Sequence, residues 1–489
     1  MNILFICSEC VPFAKVGGLA DVVAGLSKTL HRQGHRVSVV MPLYRAIDRQ
    51  RHKLVFDGSA CVHLGQGAEH WIGVWRSSLD GEVPVLLIDH QESFDRPGIY
   101  DAGGEGYADN GYRFALLSKA ALQLAKDRQL GLDVVHLHDW PTALAAMFLK
   151  TWDRILSPLS GVASVLTIHN IGYQGVFDGE LFGYLGVGDQ WLTPRVIEDH
   201  GRLNLLKAGI FFADALTTVS PTHAKELVDP VGGQGLAPYL TDRGDDFVGI
   251  LNGVDYEHWD PSTDRLLPAN FSIDDLTGKW RCKAALQARF GLEQRADVPL
   301  FGVVSRFAPQ KGLELLRGTI ERALAQLSMQ FVVLGQGSLA LEGFFGELTA
   351  RWPGRVGSFF GYDEALSHLI EAGSDFFVMP SIYEPCGLNQ IYSLKYGTLP
   401  IVRATGGLAD TVRNYDEASG DGTGFVFEAA TPAALFDTIG WAVSTYFDRP
   451  QHLAALRRAA MSEDFGWQAS ATAYLALYQR AIANRQRWS

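Results

Sequence analysis

The chain of 489 residues contains no run of 18 apolar residues, which excludes a helix long enough to span a bilayer. Its first apolar segment, residues 1–7, is short and has no lysine or arginine before it. It therefore reads as an opening strand rather than a signal peptide. Positive charge is in deficit: 42 lysines and arginines stand against 54 aspartates and glutamates, a formal net charge of −12. That balance disfavours general binding to nucleic acid or to an anionic membrane, while a local basic pocket stays possible. Cysteines number only five and are scattered, as expected of free thiols in a reducing, cytoplasmic compartment. Cys7 and Cys10 have the C-x-x-C spacing, but they straddle the end of the first predicted strand instead of heading a helix. That placement argues against a redox pair. His136 and His138 share one strand face without an evident third ligand, so no metal site is assigned.

What is present is an α/β pattern, too long for one core and therefore expected to form two large domains. The 52 glycines suit many strand-to-helix turns. Strands are predicted at 1–7, 36–41, 83–88, 133–137, 163–168 and 215–219, with helices at 21–34 and 112–126 among them. The pattern restarts near 247–254, with a helix at 279–290 and strands at 300–304, 330–334, 356–360, 376–379 and 399–402. Short β-branched strands alternating with helices predict mostly parallel sheets covered on both faces. We expect a Rossmann-like domain over 1–248 and a second over 249–460. A helical, aromatic tail over 461–489 should pack back on the first.

The string Gly-Gly-Leu-Ala-Asp occurs twice, at 17–21 and 406–410. Each copy follows an apolar run and is expected to lead into a helix with Asp21 or Asp410 in the first turn. Such a turn lets backbone approach a ligand and aims free N–H groups, with the helix dipole, at an anion such as phosphate. Lys15 adds a cation just before the first copy. Arg306 and Lys311 follow the predicted strand 300–304, where two fixed positive charges suit a diphosphate leaving group. Glu384 follows the strand 376–379, where a carboxylate can bond sugar hydroxyls or face an oxocarbenium charge. The segments His138-Asp139-Trp140 and His169-Asn170-Ile171-Gly172 also follow strands. Together these motifs predict an interdomain cleft.

The strings KVGGLADV, HLHDW, TIHNIGYQG, NGVD, SRFAPQKG, YEPCGLNQ and YGTLPIVRATGGLADTV, in this order, resemble bacterial glycogen synthases and plant starch synthases. The resemblance runs from Met1 to about Phe427. It implies the GT-B fold, two Rossmann-like domains facing a cleft. The activity implied is retaining glucose transfer from ADP-glucose to the non-reducing end of an α-1,4-glucan, with no metal and no cofactor. The absence of any Asp-x-Asp triplet fits metal independence. Matching positions imply Glu384, His169, Lys311 and Arg306 as catalytic residues. Donor contacts would come from Lys15, Gly17, Gly18, Asp139, Asn170, Cys386, Gly387, Leu388, Gly406 and Gly407, with Tyr362 stacking on adenine. Glu9, Asp21 and Tyr100 would complete the sugar and acceptor pocket. Cousin families place a second glutamate eight residues beyond the first; here that position is Tyr392, which fits the ADP-glucose branch. The alternatives are a same-fold transferase using UDP-glucose or another nucleotide sugar, and a non-catalytic carbohydrate-binding protein. Retention of Glu384, Lys15 and Arg306 speaks against the last.

Overall fold

A computed structural model describes residues 1–488. The chain forms two compact units, Met1–Gly253 with the segment from Trp467 onward, and Val254–Gly466.

The first unit holds strands β1 (Asn2–Ile6), β2 (Arg36–Pro42), β3 (Val55–His63), β4 (Glu69–Leu79), β5 (Val83–Asp89), β6 (Val134–His138) and β7 (Ala163–Ile168). It continues with β8 (Val176–Asp178), β9 (Glu198–Asp199), β10 (Arg202–Asn204), β11 (Ala215–Thr218) and β12 (Phe247–Gly249). Nine of them make one sheet in the order β12-β11-β7-β6-β1-β2-β5-β4-β3, and β8, β10 and β9 make a small one. β1 is central, with Ile3 in register with Val37 of β2 on one side and Val134 of β6 on the other, both parallel. Ile3, Leu4, Phe5 and Ile6 are all buried, the continuous apolar run of a strand covered on both faces. The helix Leu19–Arg32 turns Leu19, Val22, Val23, Leu26 and Leu30 inward at helical spacing.

The antiparallel strands β3 and β4 were not legible as strands in the sequence. Their residues alternate between buried and exposed at the sheet edge, so they lack the apolar runs that marked the parallel strands. The helix Trp467–Trp488 belongs to this unit: Tyr478 Oη lies 2.8 Å from His136 Nδ1, and Arg485 donates to the Ser160 carbonyl at 2.6 Å. Gly25 makes room for it, since a Cβ there would lie 2.1 Å from Trp467 Nε1.

The second unit holds β13 (Leu300–Phe307), β14 (Gln330–Gly337), β15 (Val356–Phe360), β16 (Phe376–Met379), β17 (Leu399–Arg403) and β18 (Phe425–Phe427). All pair in parallel, in the order β15-β14-β13-β16-β17-β18. Phe301, Val303, Phe331, Val333, Phe376 and Ile401 form its core with the helices Leu313–Gln326 and Pro432–Asp448.

Each sheet therefore has one place where the strand order reverses. In the first unit it lies between β1 and β6, in the second between β13 and β16. Open parallel sheets bind ligands beyond the carboxyl ends of the strands at such a switch point.

Candidate active site

In the first unit, Glu9 follows β1 and is buried, yet it carries a dense set of donors. The Val16 and Gly17 amides donate to its Oε2 at 2.5 and 3.0 Å, and the Tyr100 hydroxyl donates to Oε1 at 2.6 Å. Burial raises its pKa against the pull of those hydrogen bonds. Glu9 thus fixes the loop that presents Lys15, Gly17 and Gly18. Lys15 Nζ lies 2.8 Å from Asp21 at the start of the helix Leu19–Arg32, both side chains reaching solvent. Neither Gly17 nor Gly18 takes a left-handed backbone, and a Cβ on Gly17 would meet only open space. Nothing within the fold requires a glycine at 17. What it provides is an uncovered backbone surface.

Across the switch point, Asp139 caps the helix Trp140–Thr151 with φ 56°, a strained value for a residue with a side chain. The strain places its carboxylate under the next loop, where the His169 amide donates to Oδ1 at 2.7 Å and the Asn170 amide approaches at 3.4 Å. Burial pushes Asp139 up to about 7. Burial also lowers His169 to about 3, so its imidazole is neutral at any working pH. His169 Nε2 lies 3.0 Å from His138 Nδ1. Sequence reasoning gave His138 no role, because its strand face was legible but its partner on the next loop was not.

In the second unit, β13 runs three residues further than expected, so Arg306 stands in the strand's last turn of pleat rather than beyond it. Its side chain is exposed. Lys311 and Glu384 meet beyond β13 and β16: Lys311 Nζ donates to Oε1 at 2.9 Å and to Oε2 at 2.7 Å. The Ser381 hydroxyl donates to Oε2 at 3.0 Å. Although it leaves a loop, Glu384 is only 4% exposed. Ser381 opens the motif in the sequence, but nothing there showed that it would face Glu384.

Close backbone packing builds this pocket. A Cβ on Gly312 (φ 65°) would fall 1.9 Å from the Pro380 carbonyl oxygen, and the Ile382 amide donates to the Gln310 carbonyl at 2.9 Å. Arg403 donates to the carbonyls of Ser381 and Ile382. The expectation for the second Gly-Gly copy needs correction. Gly406 and Gly407 are themselves the first residues of the helix Gly406–Thr411, which leaves Asp410 near its end rather than in its first turn. The reason is steric: Gly406 has φ 43°, and a Cβ on it would lie 1.9 Å from the Glu384 carbonyl oxygen. Gly407 donates to that carbonyl at 3.1 Å. Cys386 is buried, Gly387 takes φ 72°, and Leu388 precedes the helix Asn389–Lys395. Tyr362 stands apart from this cluster, 69% exposed at the carboxyl end of β15, with β14 between its strand and β13.

Two mostly parallel Rossmann-type sheets, each offering charged and glycine-rich loops at its switch point, are the building units of glycosyltransferases of the GT-B class. Comparison with known proteins narrows this. Residues 2–242 match the family Starch synthase catalytic domain, and residues 286–460 match Glycosyl transferases group 1. Glycogen synthase 1 of Geobacter metallireducens is 47% identical over 487 residues, 99% of this chain and 97% of that protein. Glycogen synthase of Treponema denticola is 45% identical, covering 99% of both chains. The catalytic domain of starch synthase IV from Arabidopsis thaliana, solved with ADP and acarbose bound, superposes with a TM-score of 0.90. It is 36% identical, again over 99% of both chains. The chain belongs to the glycogen and starch synthase family of glycosyltransferases. Among the described residues, no helix is long and apolar enough to cross a membrane.

Proposed function

We propose that this protein moves glucose from ADP-glucose to the non-reducing end of an α-1,4-glucan, retaining the anomeric configuration and needing no metal. The observation that carries the reading is the Lys311–Glu384 pair at the switch point of the second unit. A buried carboxylate held by a cation and a hydroxyl is a fixed charge, ready to meet a sugar and costing no reorganisation as the glycosidic bond breaks. Lys311 has three N–H donors, so it can hold Glu384 and also neutralise the diphosphate with Arg306.

On this reading, each unit contributes its own set of residues. Lys15 and the open Gly17-Gly18 backbone meet donor phosphate and sugar, and Glu9, Asp21 and Tyr100 shape the sugar side. His169, neutral and backed by His138, offers a hydrogen bond rather than a proton, with its main-chain carbonyl facing the developing positive charge. Asp139 supports this by holding the amides of His169 and Asn170. Tyr362 stacks on adenine, and Cys386, Gly387 and Leu388 line the donor. The five cysteines, all free thiols, support a cytoplasmic setting.

The test is glucose transfer to glycogen from ADP-glucose against UDP-glucose, with and without EDTA. We expect at least about tenfold higher kcat/KM for ADP-glucose, which takes only about 1.4 kcal/mol of differential binding. Equal values for the two donors would remove the donor assignment. Loss of activity on chelation, restored by Mg²⁺ or Mn²⁺, would remove the metal-free one.

A further inference from the structure

The second unit carries a group of ligating side chains that the transfer reaction leaves unused. Glu364 and His368 sit four residues apart on the helix Glu364–Gly373, and so on one face of it. His258 comes from the turn before Trp259, and its Nε2 lies 3.1 Å from Glu364 Oε1. One ligand atom from each of His258, Glu364 and His368 lies within 4.8 Å of the others.

The histidine on the inner side is unusually well fixed. His368 is fully buried, with its Nδ1 2.7 Å from Asp264 Oδ2. The Tyr396 hydroxyl donates to the same oxygen at 2.7 Å. Trp259 stacks on the His368 ring at 3.6 Å and 16°, and Tyr392 stacks on the other side of Trp259 at 3.8 Å and 4°. With Nδ1 occupied by the Asp264 carboxylate, Nε2 is the ring nitrogen left for a ligand. That atom is buried and has no hydrogen-bond partner among the described residues. An unpartnered buried ring nitrogen beside two further ligating side chains is a place for a ligand, because buried polar atoms are nearly always satisfied. A carboxylate behind a histidine is the arrangement that orients and strengthens a metal-binding imidazole.

We propose that His258, Glu364 and His368 bind a divalent transition-metal ion, with Asp264 orienting His368. Two imidazoles and one carboxylate suit zinc or cobalt rather than magnesium or calcium, which prefer oxygen ligands alone. Ligands at roughly 2.0–2.1 Å around a tetrahedral zinc stand about 3.4 Å from one another. His258 and Glu364 are already close to that spacing. Their side chains, 54% and 56% exposed, can turn through the remaining distance toward the fixed His368. Three protein ligands leave a fourth position for water. None of the three belongs to the residues assigned to glucose transfer, so the ion is an addition to the reaction rather than part of it.

The probe is Co²⁺, then Zn²⁺, added to full-length protein stripped with EDTA and dialysed. Cobalt should give the visible d–d absorption of a four-coordinate site, saturating at a single equivalent. Zinc should compete it away and raise the thermal midpoint of the protein. His258→Ala and Glu364→Gln change exposed side chains and should fold as wild type by circular dichroism. Each should weaken cobalt binding by about tenfold or more, the lower end of what disturbed metal shells cost. Absence of a four-coordinate cobalt spectrum, or cobalt affinity unchanged in either variant, overturns the assignment. Because the readout is binding, its failure is distinct from any failure of the glucose-transfer reading.

Discussion

Replacing Glu384 by glutamine keeps the shape of the side chain and one acceptor oxygen but removes the charge. In the folded protein that charge accepts two hydrogen bonds from Lys311 and one from Ser381. Removing one partner of a fully buried ion pair costs about 3–5 kcal/mol. The Lys311 side chain is 20% exposed, so water can replace part of what it loses, and about 1–3 kcal/mol is the better expectation. For a unit of this size that lowers Tm by roughly 2–12 °C without unfolding it at 25 °C. Activity should fall much further. Loss of one preorganised charge that acts in the transition state lowers kcat by about 10²–10⁴. The assays are Tm by calorimetry and kcat for glucose transfer to glycogen, measured on the same preparations. Lys311→Met should lower Tm alone and lower it little further on top of Glu384→Gln, since for stability both break one interaction. A folded Glu384→Gln protein that keeps more than about a tenth of wild-type kcat would refute the reasoning. So would fully additive Tm losses in the double variant.

Three further outcomes follow from the geometry. Lys15→Ala breaks only an exposed pair with Asp21, so stability should change by no more than about 1 kcal/mol, while kcat should drop by about 10²–10⁴; a drop confined to Tm would contradict the donor role. Alanine at the two Gly-Gly copies should act oppositely. Gly406→Ala forces a Cβ onto the Glu384 carbonyl and should cost about 1–3 kcal/mol with most of the activity, whereas Gly17→Ala should leave Tm nearly unchanged and raise KM for the donor; equal Tm losses would count against this contrast. Asp139 titrates near 7 when folded and near 4 when unfolded, so the folded state keeps a proton that the unfolded state gives up. Its contribution is therefore present below about pH 4 and is lost as pH rises through 7. Asp139→Asn should gain stability relative to wild type between those values, by at most about 4 kcal/mol, in urea denaturation at pH 4.5 and 8. A constant difference would show that Asp139 is ionised throughout.

How far the sequence carries depends on what each feature needs. Most of the parallel strands were legible because burial on both faces demands uninterrupted apolar runs, as in 2–6 and 300–304, whereas the three-residue edge strand β18 was too short to show one. The edge strands β3 and β4 satisfy no such demand, and their half-exposed alternation hid them. Sequence order put Lys15, Asp139, His169, Arg306, Lys311 and Glu384 just after strands or at their ends. The repeated Gly-Gly-Leu-Ala-Asp string marked both loops for close backbone approach.

Which of these residues meet was decided only by the sheets. β6 lies beside β1, and β16 beside β13, because crossover connections send later strands to the far side of the first one. The β13–β16 neighbourhood brings Glu384 to Lys311 across 73 positions, and the parallel pairing of β7 with β6 sets the His169 loop on Asp139 across 30. Strand placement also decides that the same five residues do different work in their two copies. Around Gly17 the backbone is left open to a ligand, whereas Gly406 is pressed against the Glu384 main chain. A local string fixes the turns a chain can make, but whether a turn faces solvent or another loop depends on which strand folds in next to it.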